Sequence, residues 1–298
     1  MIGMATDAFP ATFSGITRWA KDRGMAAGEA RRRYAQFVVL VAVANSPMLG
    51  EMVVFKGGNA LDFVLQPNRS TLDLDFTLDR ADAAPHLLTE EIERRIGSGC
   101  RLIAGRMGMA LVVQRVRQNP PGPDRTFVTF AVSIGYALPD QRAIIERARR
   151  GVRIAQTIDV DISINEPICA ATSLSLGAGF GEIRISTIEE IVSEKLRALL
   201  QQSIRERERP QDLLDIAVAL RGDSPPAPQT VAEFLLVKAA ARGVPVSRAA
   251  FHDAELARLT RAGYDDLAAT TRVLFIPFGE ALADVLAFVD VLPIPVQR

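Results

Sequence analysis

Cysteine, histidine, lysine and net charge are all scarce in this 298-residue sequence. The two cysteines, Cys100 and Cys169, stand in unlike contexts and read as reduced thiols, which excludes a disulfide-stapled secreted scaffold. Two histidines, His86 and His252, leave little from which to build a zinc centre. Lys+Arg and Asp+Glu are both 35, so no global basic field draws the chain to nucleic acid. Any such binding must come from local patches. Long apolar runs are missing as well. The densest, FVVLVAVA at 37–44, is far short of the roughly 20 residues that a membrane span needs. Asp7, Arg18, Lys21 and Arg23 interrupt any apolar leader. The expectation is a cytoplasmic protein with no membrane partner. Only Lys21, Lys56, Lys195 and Lys238 are lysines, so arginine is the default cation. A lysine at a motif position is then there for its compact, mobile ammonium.

What the chain does have is a 48% hydrophobic composition and the length for a substantial core. GEARRRYAQFVVLVAVAN at 28–45 predicts a helix, and MVVF at 52–55 a short buried strand. Gly57-Gly58 break that strand, and NALDFVL starts a helix for which Asn59 is the N-cap. TLDLDFTL alternates like a strand, with Leu72, Leu74 and Phe76 facing one way and Thr71, Asp73, Asp75 and Thr77 the other. A charged helix at 87–97 precedes strands near 101–106, 110–117 and 126–134. Residues 139–153 form a basic, exposed helix, and AQTIDVDISIN at 155–165 is a second alternating strand with Asp159, Asp161 and Ser163 on one face. After residue 187 the chain reads as helices, the first opened by a Thr187/Glu190 capping box. The expected organisation is an α/β domain over 1–185 and a helical domain over 186–298.

Two stretches carry chemistry. On a strand, Asp73 and Asp75 project from one face about 7 Å apart, a spacing that suits one or two divalent cations and also suits a wet edge strand. Asp161, on the second alternating strand, tips the balance. Three convergent carboxylates repel strongly, and a metal is the natural resolution. The KGGN stretch, Lys56 to Asn59, allows backbone N–H groups to approach a phosphate, although many strand-to-helix turns contain glycine. Lys195 lies on an apolar helix seam, where a snorkelling lysine is the plain alternative. Asp212 and Asp215 share a helix face, and ion pairs with Arg205, Arg207 or Arg209 would explain them.

KGGNAL, RSTLDLDF, DVDISINEP, EEIVSEKLRALL and RPQDLLDI occur in that order between about residues 50 and 220. Together they resemble the AbiEii family of abortive-infection nucleotidyltransferase toxins, within the polymerase-β-like superfamily. The resemblance implies a mixed sheet with helices followed by a helical C-terminal domain that completes the site. It puts Gly57, Gly58 and Asn59 in the phosphate-cradling turn, with Lys56, Arg69 and Thr71 also at nucleotide-binding positions. It makes Asp73, Asp75 and Asp161 the metal ligands, for Mg²⁺ or Mn²⁺. Lys195 would contact the triphosphate and Asp212 would complete the site. The family's serine two places before the first aspartate is Thr71 here, with Ser70 beside it, and Asn59 replaces the usual threonine. The implied activity is transfer of a nucleotide from a nucleoside triphosphate to an RNA acceptor, the 3′ end of transfer RNA, by a toxin with a cognate antitoxin. A rival reading takes DLDFTL as the D-x-D-x-T of a haloacid-dehalogenase-type phosphatase. Another is a non-catalytic nucleotide-binding module.

Overall fold

A computed structural model of the chain describes residues 9–10, 12–65, 68, 71–79, 89–121, 127–177 and 179–297. Two compact units emerge, one of Met1–Phe63, Leu72–Asn165 and Thr172–Ile185, the other of Val64–Thr71, Glu166–Ala171 and Ser186–Arg298. The first holds a seven-stranded mixed sheet: β1 (Val53–Lys56), β2 (Leu74–Leu78), β3 (Ala110–Asn119), β4 (Thr129–Ala137), β5 (Thr157–Ser163), β6 (Ala171–Ser175) and β7 (Glu182–Ser186). Their order is β3-β4-β5-β2-β1-β7-β6. Central strand β2 runs antiparallel to β1 and parallel to β5.

The alternation in β2 and β5 sets which residues meet. Leu74, Phe76, Ile158, Val160 and Ile162 are buried on one face, which sends Asp75, Asp159 and Asp161 to the other. Strand β2 starts later than its pattern predicts. Asp73 sits at a bend ahead of it, and Leu72, expected beside Leu74 and Phe76, is 63% exposed.

The helix Ala27–Ala44 buries every residue from Phe37 to Val43, as an all-round apolar helix must. The expected strand near 101–106 is instead the end of one long helix, Thr89–Met107. Ile92, Ile96, Cys100, Ile103 and Ala104 continue a single buried stripe at helical spacing, which outweighs the short apolar run. Gly99 lets this helix approach the first closely, since a Cβ there would lie 2.1 Å from the Ala42 carbonyl oxygen. The basic helix at Arg142–Arg149 forms as expected, with Ile145 its buried residue. Strands β6 and β7 have no counterpart among the expected elements. Each has five residues, and β6 is mostly polar with Leu174 its one fully buried side chain.

The second unit is helical, with Ile188–Leu200, Pro210–Leu220, Pro228–Ala241, Ala254–Arg261 and Phe278–Val291 packed around one apolar core. Thr187 Oγ1 accepts the Glu190 N–H at 3.3 Å, half of the expected capping box. The Glu190 carboxylate turns elsewhere. It accepts the Cys169 and Ala170 N–H groups at 3.1 and 3.3 Å and pairs with Lys238 at 2.6 Å, fixing the 166–171 segment to this unit.

In the first unit, Arg33 on the helix Ala27–Ala44 pairs with Asp62, one residue past the start of the π-helical turn Leu61–Leu65. Both side chains are almost wholly buried. The pair ties the core helix to the segment that follows Gly57-Gly58. Arg33→Met should cost about 3–5 kcal/mol in urea unfolding, because it removes the buried cation that faces a buried carboxylate. Combining it with Asp62→Leu should recover most of that loss. If the double variant is no better than the single one, the pair's charge is not what the segment depends on.

Candidate active site

Strand register assembles the site. Across the sheet, Lys56 on β1 stands opposite Asp75 on β2, Asp75 opposite Asp161 on β5, and Asp161 opposite Ala131 on β4. Asp73, just ahead of β2, joins them. One carboxylate oxygen from each of Asp73, Asp75 and Asp161 lies within 4.8 Å of the other two, with Asp73 exposed and its partners half-buried. The convergence expected from the sequence is present. Burial pushes the Asp161 carboxyl above its ordinary range, and the charges of Asp73 and Asp159 push it further, while Lys56 works in the opposite direction. The cluster therefore carries negative charge beyond what Lys56 offsets.

The glycine turn lies directly on the aspartates. Gly57 has φ 75, and a Cβ there would sit 2.4 Å from Asp75 Oδ2, so both its backbone conformation and its closeness require glycine. The short helix begins at Gly57, with Lys56 at its N-cap, earlier than an Asn59 cap implies. Asn59 is therefore inside it and caps nothing. Its amide instead donates to the Asp73 carbonyl, and its Oδ1 is buried without a hydrogen-bond partner. One turn thus braces both halves of the D-x-D, Gly57 against the Asp75 side chain and Asn59 against the Asp73 backbone.

The donors suit a hard divalent cation. All three are carboxylate oxygens, close enough to share an ion, in a site with excess negative charge. Mg²⁺ and Mn²⁺ prefer such ligands, whereas soft metals would want sulfur or imidazole.

In the helical unit, Lys195 does not emerge from a packed face as a snorkelling lysine would; it is buried. Its Nζ donates to Asp212 Oδ1 at 2.7 Å and to Asp215 Oδ2 at 2.9 Å. Burial alone would lower its proton affinity, but the two aspartates outweigh that and hold it charged. Of the three arginines expected to pair with these aspartates, Arg209 does approach, with Nη1 3.6 Å from Asp212 Oδ2. Asp215 as a partner of Lys195 is a residue that sequence reasoning misses. Its i, i+3 spacing from Asp212 is visible, but nothing in the sequence says which cation the pair faces. Thr71 is half-buried, and Arg69 and Ser70 lie outside the described residues.

A mixed sheet bearing D-x-D, a third aspartate on the parallel neighbouring strand and a glycine turn over both define a protein of nucleotidyltransferase class. A profile of the family described as nucleotidyl transferase AbiEii toxin, type IV toxin–antitoxin system, matches residues 39–286. That is most of the chain, and the protein belongs to this family. Among solved structures, MenT4, a nucleotidyltransferase toxin from Mycobacterium tuberculosis, aligns with TM-score 0.57 and 19% identity over 94% of this chain and 89% of its own. JHP933 from Helicobacter pylori aligns with TM-score 0.48 and 14% identity over 89% of this chain and 92% of its own. No curated protein sequence matches. Family membership sets the phosphatase reading aside.

The raised proton affinity of Asp161 has a sign that can be tested. Below the range where an unfolded aspartate titrates, the group is protonated in both states and costs nothing. As pH rises through the folded-state value, stability is lost, and it stays lost at neutrality. Asp161→Asn should therefore raise the Tm at pH 7 and give no gain at pH values low enough to protonate the unfolded chain. Calorimetry at both pH values checks this. An equal gain in acid would mean that packing, not charge, is responsible.

Proposed function

We propose that this protein transfers a nucleotide from a nucleoside triphosphate to an RNA acceptor, the 3′ end of transfer RNA, in a Mg²⁺-dependent reaction in the cytoplasm. The observation that carries the reading is the convergence of Asp73, Asp75 and Asp161 beneath the Gly57 turn. These three carboxylates would hold the cation, with Mn²⁺ the alternative. When bound, it would neutralise the triphosphate and ease ionisation of the attacking hydroxyl.

The chain's own groups do the rest. Gly57 and Gly58 present backbone to the phosphates at a point where no side chain intervenes. Lys56, beside Asp75, supplies positive charge on the same face. Lys195 is assigned to the triphosphate by the family resemblance alone, since its ammonium is buried and donates to Asp212 and Asp215. In the transfer, the acceptor oxygen forms a bond to the α-phosphorus, the bond from that phosphorus to the bridging oxygen breaks, and pyrophosphate leaves. The hydroxyl proton passes to water. Arg69 and Thr71 are assigned to nucleotide binding by the family resemblance alone. A type IV toxin also implies a cognate antitoxin that limits this activity.

Incubating the protein with total RNA and each triphosphate labelled at the α-phosphate tests the proposal. Label should enter RNA with one triphosphate preferred, and pyrophosphate should appear in equal amount. Asp75→Asn should reduce incorporation to background and abolish growth inhibition while the far-ultraviolet circular dichroism is unchanged. Release of inorganic phosphate without labelled RNA would contradict nucleotidyl transfer.

A further inference from the structure

The sheet face that carries the aspartates extends past β5 onto β4 and the edge strand β3. Strand register fixes which residues share it, because residues directly opposite one another project to the same side. Asp161 stands opposite Ala131 on β4, and Ala131 opposite Arg117 on β3. In the adjoining row Asp159 faces Ser133, and Ser133 faces Arg115. Each row thus runs from an exposed arginine, across one small side chain, to an aspartate. On the other side of β4, Phe130, Val132 and Ile134 are buried in the core, so the strand cannot turn these residues away.

A third guanidinium is held beside the same strands. The ladder of β3 and β4 is irregular between Val113 and Arg115, which sets Gln114 out of register. Gln114 lies over Gly135, where a Cβ would come 1.7 Å from its Nε2. Its amide donates to the Ile154 carbonyl at 3.0 Å, and its Oε1 accepts Arg153 Nε at 3.0 Å. Arg153 is itself exposed.

Charge of either sign would guard an edge strand. Here the face turned toward the aspartates carries arginine at both positions. Two strand spacings, about 10 Å, separate the backbone of Arg117 from that of Asp161. Among the described residues, Arg115 and Arg117 make no ion pair across that gap or elsewhere. Arg142 and Arg147 are unpaired in the same sense, but they stand on the helix Arg142–Arg149, outside these rows. Placement singles out the β3 pair: cations on one side, Ala131 and Ser133 as a low floor, and the carboxylate cluster on the other.

We propose that Arg115, Arg117 and Arg153 hold phosphates of the RNA acceptor, whose terminal hydroxyl reaches the carboxylate cluster across Ala131 and Ser133. The cluster has two flanks on this face. The β1 flank, with Lys56 and the Gly57 turn, serves the triphosphate, and the β4–β3 flank is left for the acceptor. Guanidinium forks match phosphate oxygens in shape and charge, and a nucleic acid offers separate phosphates to separate arginines. In a chain of zero net charge, such binding has to be local. The inference rests on the reading that the acceptor is RNA, and it adds the side from which that RNA enters.

Arg115→Gln/Arg117→Gln keeps much of both stems and removes both charges. Fluorescence anisotropy of labelled total transfer RNA with the full chain, without triphosphate and across a salt series, reads the effect. The dissociation constant should rise at least about tenfold, and the salt slope should fall by about 1–2. Any transfer should show a higher KM for RNA at unchanged kcat. Affinities for Mn²⁺ and for a fluorescent triphosphate should not change, because the cluster and the Gly57 turn are untouched. Arg142→Gln/Arg147→Gln removes the same charge from the neighbouring helix and should leave RNA affinity near wild type. Equal losses in the two double variants would overturn the proposal, since net charge alone would explain them. Unchanged RNA affinity and salt slope in the β3 variant would overturn it too, as would loss of triphosphate binding in place of RNA binding. Transfer to RNA at wild-type KM in that variant would sink the proposed path and leave the transfer reading standing. RNA binding that depends on the β3 pair, in a wild type that transfers no nucleotide, would uphold the surface and sink the transfer reading alone.

Discussion

Three carboxylates held within 4.8 Å of one another repel, and much of the first unit is arranged to hold them there regardless. Parallel pairing of β2 with β5 puts Asp75 beside Asp161, and the buried residues of those strands prevent either from turning away. A one-residue slip would bury the acids and expose Leu74, Val160 and Ile162, so the register is strongly fixed. The site is thus a consequence of core packing on the opposite face of the sheet.

The glycine turn adds a second constraint. Because Gly57 touches the Asp75 side chain and Asn59 holds the Asp73 carbonyl, the segment that would meet phosphate also sets the positions of two of the clustered carboxylates. Arg33, from the core helix, anchors the next turn through Asp62. Replacement of the family's usual threonine by Asn59 fits this arrangement: a longer side chain reaches the neighbouring strand's entrance and gives up a hydroxyl in exchange. In the helical unit the same economy recurs on a smaller scale, with Lys195 buried between Asp212 and Asp215 and its charge secured by both.

Strand alternation makes the face shared by Asp75, Asp159 and Asp161 legible in the sequence, because period two leaves little choice. The order of the motifs makes the family legible. The end of the helix Thr89–Met107 reads as a strand because a short apolar window does not reveal that its stripe continues from Ile92. Strand β6 is hidden because a mostly polar five-residue strand at a sheet edge carries little pattern of its own, whereas β7, between β1 and β6, does alternate through Ile183 and Ile185 but over only five residues. Asn59 reads as a cap for a related reason: capping is a local signal, whereas its bond to Asp73 spans 14 residues and depends on how the turn folds back. The partners of Lys195 are out of reach because helix periodicity gives faces and not the neighbours that those faces meet.

The central claim is that the carboxylate cluster exists to hold a divalent cation. Titrating Mn²⁺ into the full chain without nucleotide, and following free Mn²⁺ by electron paramagnetic resonance, tests it directly. The account predicts saturable binding by the wild type that weakens by about tenfold or more in Asp161→Asn, with Asn59→Ala weakening it to a lesser degree through the position of Asp73. Equal affinity in wild type and Asp161→Asn would contradict it.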